Sequence, residues 1–249
     1  MEFLVSQGRN ERELCFRVLD GEKNPGIMFD VGAHYGGALA SFAENGWEVF
    51  AFEPDPENRL VLKSKFGNFS NVHIDPRAVS KTSEKGIPFY HSDESSGISS
   101  LLPFHESHKE TERVDVTTLE DYLKNQSLLG EQIDFLKIDT EGYDLFVLQG
   151  FPWESNSPRL ILCEFEDKKT RKLGYGLSDL AKYLADRNYQ MVISEWYPIH
   201  RYGRRHRWRR FTTYPCQLKD PQAWGNIIAA YDPDLYNKML SFCGLYPGK

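Results

Sequence analysis

The sequence predicts an α/β fold, a doubly wound and mostly parallel seven-stranded sheet with one antiparallel strand. Three observations predict it. Short apolar runs alternate with helical patterns along most of the chain. The first run passes through a glycine turn into a helix, as in a nucleoside-binding βαβ unit. Acids recur where those runs end: Asp30, Glu53, Asp139 and Glu164. Right-handed crossovers would put helices on both faces.

The elements follow in order. A lead-in helix is expected over 11–19, and 27–31 is an apolar run of the kind found in a buried parallel strand. Residues 38–45 read as a helix stopped by Gly46, 47–52 as the second strand, 57–66 as the next helix and 72–74 as the third strand. The regular pattern fails over 77–112. Residues 87–90 offer a short extra strand, and 92–112, rich in Ser, His and Glu, read as a long lid or binding loop, or else as disorder. Residues 114–116 are extended, and Thr117 or Thr118 caps a helix over 119–123. The fourth strand is 133–139, with Glu141-Gly142 opening a helix that Gly150 ends. Then come a strand over 159–165, an amphipathic helix over 177–187 and a strand over 189–194. Either 212–218 or, preferably, 226–231 supplies the antiparallel strand. The chain reads as a single domain over 1–249, with a core of about 26–195 and a basic, aromatic extension over 196–249.

The glycine turn, Gly32-Ala33-His34-Tyr35-Gly36-Gly37, selects the ligand. A dinucleotide site needs G-x-G-x-x-G, whose second glycine admits a pyrophosphate. Here His34 stands in that place. A side chain there excludes a diphosphate but leaves room for an adenosine compound without phosphates, such as S-adenosylmethionine (SAM). Glu53, at the end of the second strand, is placed for the ribose hydroxyls. The expected cofactor residues are Asp30, Gly32, Ala33, His34, Tyr35, Gly36, Glu53, Pro54, Ala78 and Asp139.

The motifs Asp30 to Gly36, Ala51-Phe52-Glu53-Pro54, Thr118-Leu119, Asp134 to Gly142, Leu148-Gln149-Gly150 and Pro158 to Glu164 run in one order over roughly 27–166. In that order and spacing the chain resembles the FkbM-type SAM-dependent methyltransferases, which have a class I methyltransferase fold. The family pattern commonly has Asn where this chain has His34. The resemblance implies methyl transfer, usually to a hydroxyl oxygen, in the tailoring of glycans, lipids or natural products. Methyltransferases acting on nucleobase amines usually carry Asp/Asn-Pro-Pro-aromatic after the fourth strand. Asp139-Thr140-Glu141-Gly142 lacks the prolines and favours oxygen as the acceptor.

An alcohol acceptor needs its proton removed or strongly hydrogen-bonded. Asp139, Glu141, Glu164 and His200 are the candidates, with His105 and His108 on the long loop as further histidines. Acids and a histidine around one cleft also suit Mg²⁺, which prefers oxygen ligands. Nothing in the sequence requires the ion.

The net charge of −6 hides six arginines within 201–210, a segment without an acid. Arg201, Arg204, Arg205 and Arg207, interleaved with aromatics, are expected together with His105 to hold an anionic acceptor such as a sugar phosphate or lipid-linked diphosphate sugar. The acidic remainder of the chain argues against general nucleic-acid binding. The alternatives are an RNA 2′-O-methyltransferase and a SAM-binding scaffold without catalysis. No apolar stretch approaches the ~20 residues of a membrane span. Charges over 1–13 argue against a signal peptide. Cys15, Cys163, Cys216 and Cys243, far apart, read as reduced thiols of a cytoplasmic protein.

Overall fold

The computed structural model describes residues 10–21, 23–202 and 205–245. Its main sheet contains β1 (Ile27–Val31), β2 (Glu48–Phe52), β3 (Val72–Asp75), β7 (Phe135–Ile138), β8 (Leu160–Glu166), β9 (Gln190–Trp196), β10 (Trp208–Thr213) and β11 (Trp224–Ala230). They lie in the order β3-β2-β1-β7-β8-β11-β9-β10. β11 runs antiparallel between β8 and β9, so the preferred assignment of the last strand holds. β10 adds an eighth strand, antiparallel on the edge against β9. The arginine segment hid it, because long charged side chains on an edge strand mask its period-2 pattern.

Alternation along the buried strands divides the core into two layers. Phe29, Val31, Leu136 and Ile138 pack on one face with α4 (Leu119–Asn125), α5 (Asp144–Gln149) and α7 (Leu177–Ala185). Met28, Val49, Ala51 and Phe135 pack on the other with α1 (Glu11–Val18), α2 (Ala40–Glu44) and α8 (Pro233–Phe242). The remaining helices are α3 (Pro56–Phe66) and the short α6 (Asp167–Thr170). Lys137 is the exception in β7: a charged residue on the second face, between apolar neighbours, with almost no exposure.

Three strands stand apart from the main sheet. β4 (Ala78–Val79), β6 (His108–Thr117) and β5 (Glu84–Ser92) form a small sheet in the order β4-β6-β5. The loop expected over 92–112 is therefore shorter. Residues 108–112 belong to β6, where charges on both faces concealed the strand, and 93–107 form the connection. Among the described residues, no helix is long and apolar enough to cross a membrane. All four cysteines are free thiols.

Candidate active site

Strand order reverses between β1 and β7, and the carboxyl ends of the parallel strands open a crevice there. A cavity of about 360 Å³ fills it, bordered by Gly32, Ala33, His34, Tyr35, Glu53, Pro54, Ala78, Asp139 and Glu141. Gly32 lets the turn after β1 approach the end of β7. It has φ +80°, and a Cβ at this position would lie 2.0 Å from the Asp139 carbonyl oxygen.

His34 is also left-handed, with φ +50°, at a cost of about 1–2 kcal/mol for a non-glycine residue. In that conformation its backbone N–H donates to Glu53 Oε2 at 2.6 Å, while Asp55 N–H donates to Oε1 at 2.9 Å. An ionised carboxylate can accept about four hydrogen bonds, so roughly two places remain on the cavity wall. Burial pushes the Glu53 pKa up to about 7 despite the two backbone donors. A buried acceptor with free places fits a vicinal diol such as the ribose of SAM.

Lys137 fixes the floor. Its Nζ donates to the Gly32 carbonyl at 2.6 Å and lies 3.1 Å from Asp30 Oδ1 and 3.6 Å from Asp139 Oδ2. Burial opposes its charge, but Asp30 and Asp139 hold its pKa above the ordinary lysine range. Asp30 is fully buried and does not border the cavity, so it acts through Lys137. Gly36 also lies off the cavity, where a Cβ would meet the Phe66 ring at 2.4 Å.

The connection 93–107 covers the crevice. Ser96 Oγ meets His34 Nε2 at 3.1 Å and Tyr35 Oη at 3.0 Å, and Asn58 Nδ2 donates to the Ser96 carbonyl at 3.2 Å. Further along, Glu94 accepts from Arg201 Nε at 3.2 Å and lies 3.6 Å from His105 Nε2. Phe104 and His105 make edge contacts with Tyr202.

A second cavity of about 400 Å³ adjoins the first and shares Arg12, Lys137 and Asp139 with it. Glu11, Ile138, Leu162, Glu164, Trp196, Arg205, His206, Trp224 and Asn226 complete its wall. Carboxylate oxygens of Asp139, Glu141 and Glu164 lie within 4.8 Å of one another. Lys169, almost fully buried, binds all three of Glu141, Glu164 (3.1 Å) and Glu166 (2.9 Å). Tyr202 Oη donates to Glu166 at 3.0 Å. Burial pushes Glu141 up to about 7 and Glu164 well above the carboxylate range. It opposes the charge of Lys169, which the three carboxylates nevertheless hold well above normal.

Glu141-Gly142 does not open a helix. With φ +55° and +110° they form a turn, and α5 begins at Asp144, whose Oδ2 accepts from Thr140 Oγ1 at 2.9 Å. Neither Asp139 nor Glu141 caps that helix, and both carboxylates reach the cavities.

The remaining expected residues scatter. His200 is exposed and borders neither cavity. His108 Nε2 bonds to the Ile98 carbonyl at 2.9 Å within the connection. Arg207 stacks on Tyr197, its guanidinium 3.9 Å from the ring centre, and Arg204 lies outside the described residues. Arg209 and Arg210 both bind Glu195, a fully buried acid, at 3.2 and 2.7 Å. The cationic segment is thus partly structural. Sequence reasoning missed Arg12, Ser96, Lys137, Lys169, Trp196 and Trp224. Lys137 alone carried a signal, a charge between Leu136 and Ile138 in an apolar strand.

Residues 30–191 match the family model of the methyltransferase FkbM domain. No protein of curated function matches the sequence. Solved structures similar to the fold include precorrin-6y C5,15-methyltransferase from Geobacter metallireducens GS-15, with 12% identity, 88% of this chain and 87% of that chain covered, and a TM-score of 0.42. An rRNA methylase from Streptococcus thermophilus has 10% identity, coverages of 89% and 95%, and a TM-score of 0.44. Ribosomal protein L11 methylase from Lactobacillus delbrueckii subsp. bulgaricus has 9% identity, coverages of 90% and 81%, and a TM-score of 0.43.

Proposed function

The chain belongs to the FkbM methyltransferase family, and from that premise we propose a SAM-dependent O-methyltransferase acting on a hydroxyl of a saccharide, glycolipid or natural-product intermediate. The observation that carries this reading is the meeting of two cavities at Asp139, whose carboxylate is 41% exposed between them. Glu53 would take the ribose hydroxyls, and the turn Gly32 to Tyr35 would border the rest of the cofactor. When bound, SAM supplies a methyl group already activated on a sulfonium, so the protein's task is alignment and exclusion of water.

The chain's own groups handle the proton. Asp139 accepts a hydrogen bond from an acceptor hydroxyl in the second cavity. Glu141, with a pKa near neutrality, is suited to take the proton onward. Lys169 holds Glu141 and Glu164 together, since like charges at such distances would otherwise repel. The connection 93–107 closes the cofactor cavity against solvent. Mg²⁺ fits this site poorly. Two of the three clustered carboxylates already hold a buried ammonium, which supplies the positive charge a cation would bring.

The test is incubation with methyl-labelled SAM and fractionated extracts. Label that survives mild alkali and leaves as methyl iodide in hydriodic acid, in a carbohydrate-containing fraction, supports the proposal. Label confined to RNA would replace it with the 2′-O-methyltransferase reading. Cofactor binding with no label in any fraction would leave a scaffold.

A further inference from the structure

The second cavity has a wall suited to a particular acceptor. Trp196 and Trp224 are direct cross-strand partners on β9 and β11, at the end of the sheet where the cofactor cavity opens. Their ring centres are 5.4 Å apart and their planes differ by 35°, so the two rings partly overlap as a tilted pair at the cavity wall. His206 adds an edge 5.2 Å from Trp224. Both indole N–H groups are already used, Trp196 on Glu11 at 2.7 Å and Trp224 on the Tyr197 carbonyl at 3.1 Å. The rings therefore offer carbon faces alone, and Asn226, Asp139 and Glu164 surround them with hydrogen-bonding groups.

Charge narrows the ligand further. Arg201, Arg209 and Arg210 are taken by Glu94 and Glu195. Arg205 is exposed at the cavity wall and has no carboxylate partner among the described residues, and the same holds for Arg12 at the junction. Two guanidiniums without a carboxylate partner, beside a tilted aromatic pair, match a ring with an apolar C–H face, hydroxyl edges and an anionic substituent. We propose that the second cavity is an acceptor subsite for a pyranose carrying a carboxylate or phosphate, seated on Trp196 and Trp224 with its anion on Arg205. This rests on the methyl-transfer reading and gives that reading its substrate class.

The full chain, saturated with S-adenosylhomocysteine, is titrated with glucuronic acid, glucose 1-phosphate, glucose and uridine monophosphate while tryptophan fluorescence and heat are followed. One of the two anionic sugars should bind at least about tenfold more tightly than glucose, since a charge-assisted bond to guanidinium discriminates by that order. Which one binds identifies the anion. Arg205→Gln, on an exposed loop, should erase that difference without changing glucose binding. Trp224→Leu should weaken all sugars and the fluorescence response together. Retained S-adenosylhomocysteine affinity in each variant shows that the fold is intact.

Equal binding of glucose and both anions, no sugar binding at all, or an unchanged Arg205→Gln variant would overturn the inference. Uridine monophosphate binding tenfold more tightly than glucose 1-phosphate would also overturn it, in favour of a base. Failure of S-adenosylhomocysteine to bind wild-type protein strikes the methyltransferase reading instead. The sugar titrations then decide the cavity by themselves.

Discussion

Lowering the pH should weaken cofactor binding, and Glu53 is the reason. Its carboxylate is 5% exposed and burial raises its pKa to about 7. In the proposed placement ribose hydroxyls would donate to the ionised form, so cofactor would bind the deprotonated site and compete with a proton. The apparent dissociation constant then rises by the factor 1 + 10^(pKa − pH). That is near 1 at pH 8, about 2 at pH 7, and about 10 at pH 6, or roughly 1.4 kcal/mol per pH unit once protonation dominates. The window thus opens below about 7, whereas an ordinary glutamate would leave the affinity flat to about pH 4.5. Calorimetry with S-adenosylhomocysteine from pH 5.5 to 8.5 measures this directly. At pH 7, in buffers of different ionisation enthalpy, binding should release roughly 0.5 proton. Glu53→Gln supplies the control. It turns one backbone-accepting oxygen into a donor, should lose about 1.5–3 kcal/mol at pH 8, and should remove the acid slope. The same slope in that variant, or affinity that rises in acid, would refute the assignment of the ribose to Glu53.

Further expectations concern the other ionic groups. Asp139→Asn keeps its shape but loses its charge, so turnover should fall about 10²-fold or more while cofactor affinity changes little; steady-state kinetics beside calorimetry checks both. Lys137→Met leaves Asp30 as an uncompensated buried acid and should cost about 3–5 kcal/mol in urea unfolding. Adding Asp30→Asn should recover part of that loss, and a double variant no more stable than the single would show that the pair is not coupled. Glu195→Ala removes the buried carboxylate that Arg209 and Arg210 share, leaving them the Tyr197 ring and the Gln217 carbonyl, and should lower stability by about 1–3 kcal/mol, read as a drop in the urea midpoint with cofactor affinity retained in the folded protein. Dialysis against EDTA should leave methyl transfer unchanged; restoration by Mg²⁺ after a loss would show that Lys169 yields its place to a cation.

The parallel half of the sheet was legible because its buried strands read as largely apolar runs, interrupted by Asp30 in β1 and Lys137 in β7. Ile27 to Val31, Glu48 to Phe52 and Phe135 to Ile138 have no competing reading, and Glu53 and Asp139 gain significance from directly following the last two. Elements exposed to solvent were harder. In β6, Lys109, Glu110 and Glu112 satisfy solvent rather than a core, so no period shows. β10 was obscured by Arg209 and Arg210, whose partner Glu195 lies on the neighbouring strand and cannot be inferred from local spacing. Glu141-Gly142 misled for a different reason. Acid and glycine both occur at helix starts, but here left-handed φ values make them a turn that delivers Glu141 to the cavity. Lys169 gave no local sign, since three strand-end carboxylates converge on it only after the sheet forms.

The connection over 93–107 touches the two halves of the site at once. Ser96 is bonded to His34 and Tyr35 above the cofactor turn, and Glu94, Phe104 and His105 rest against Arg201 and Tyr202 on the acceptor side. Moving it aside for one ligand disturbs the seat of the other. On the proposed function such a coupling would favour an ordered catalytic cycle, with SAM entering first and S-adenosylhomocysteine departing last. Methylated product should then inhibit noncompetitively against SAM, while S-adenosylhomocysteine should inhibit competitively. The slowest step would be the parting of that segment from the turn rather than the transfer itself.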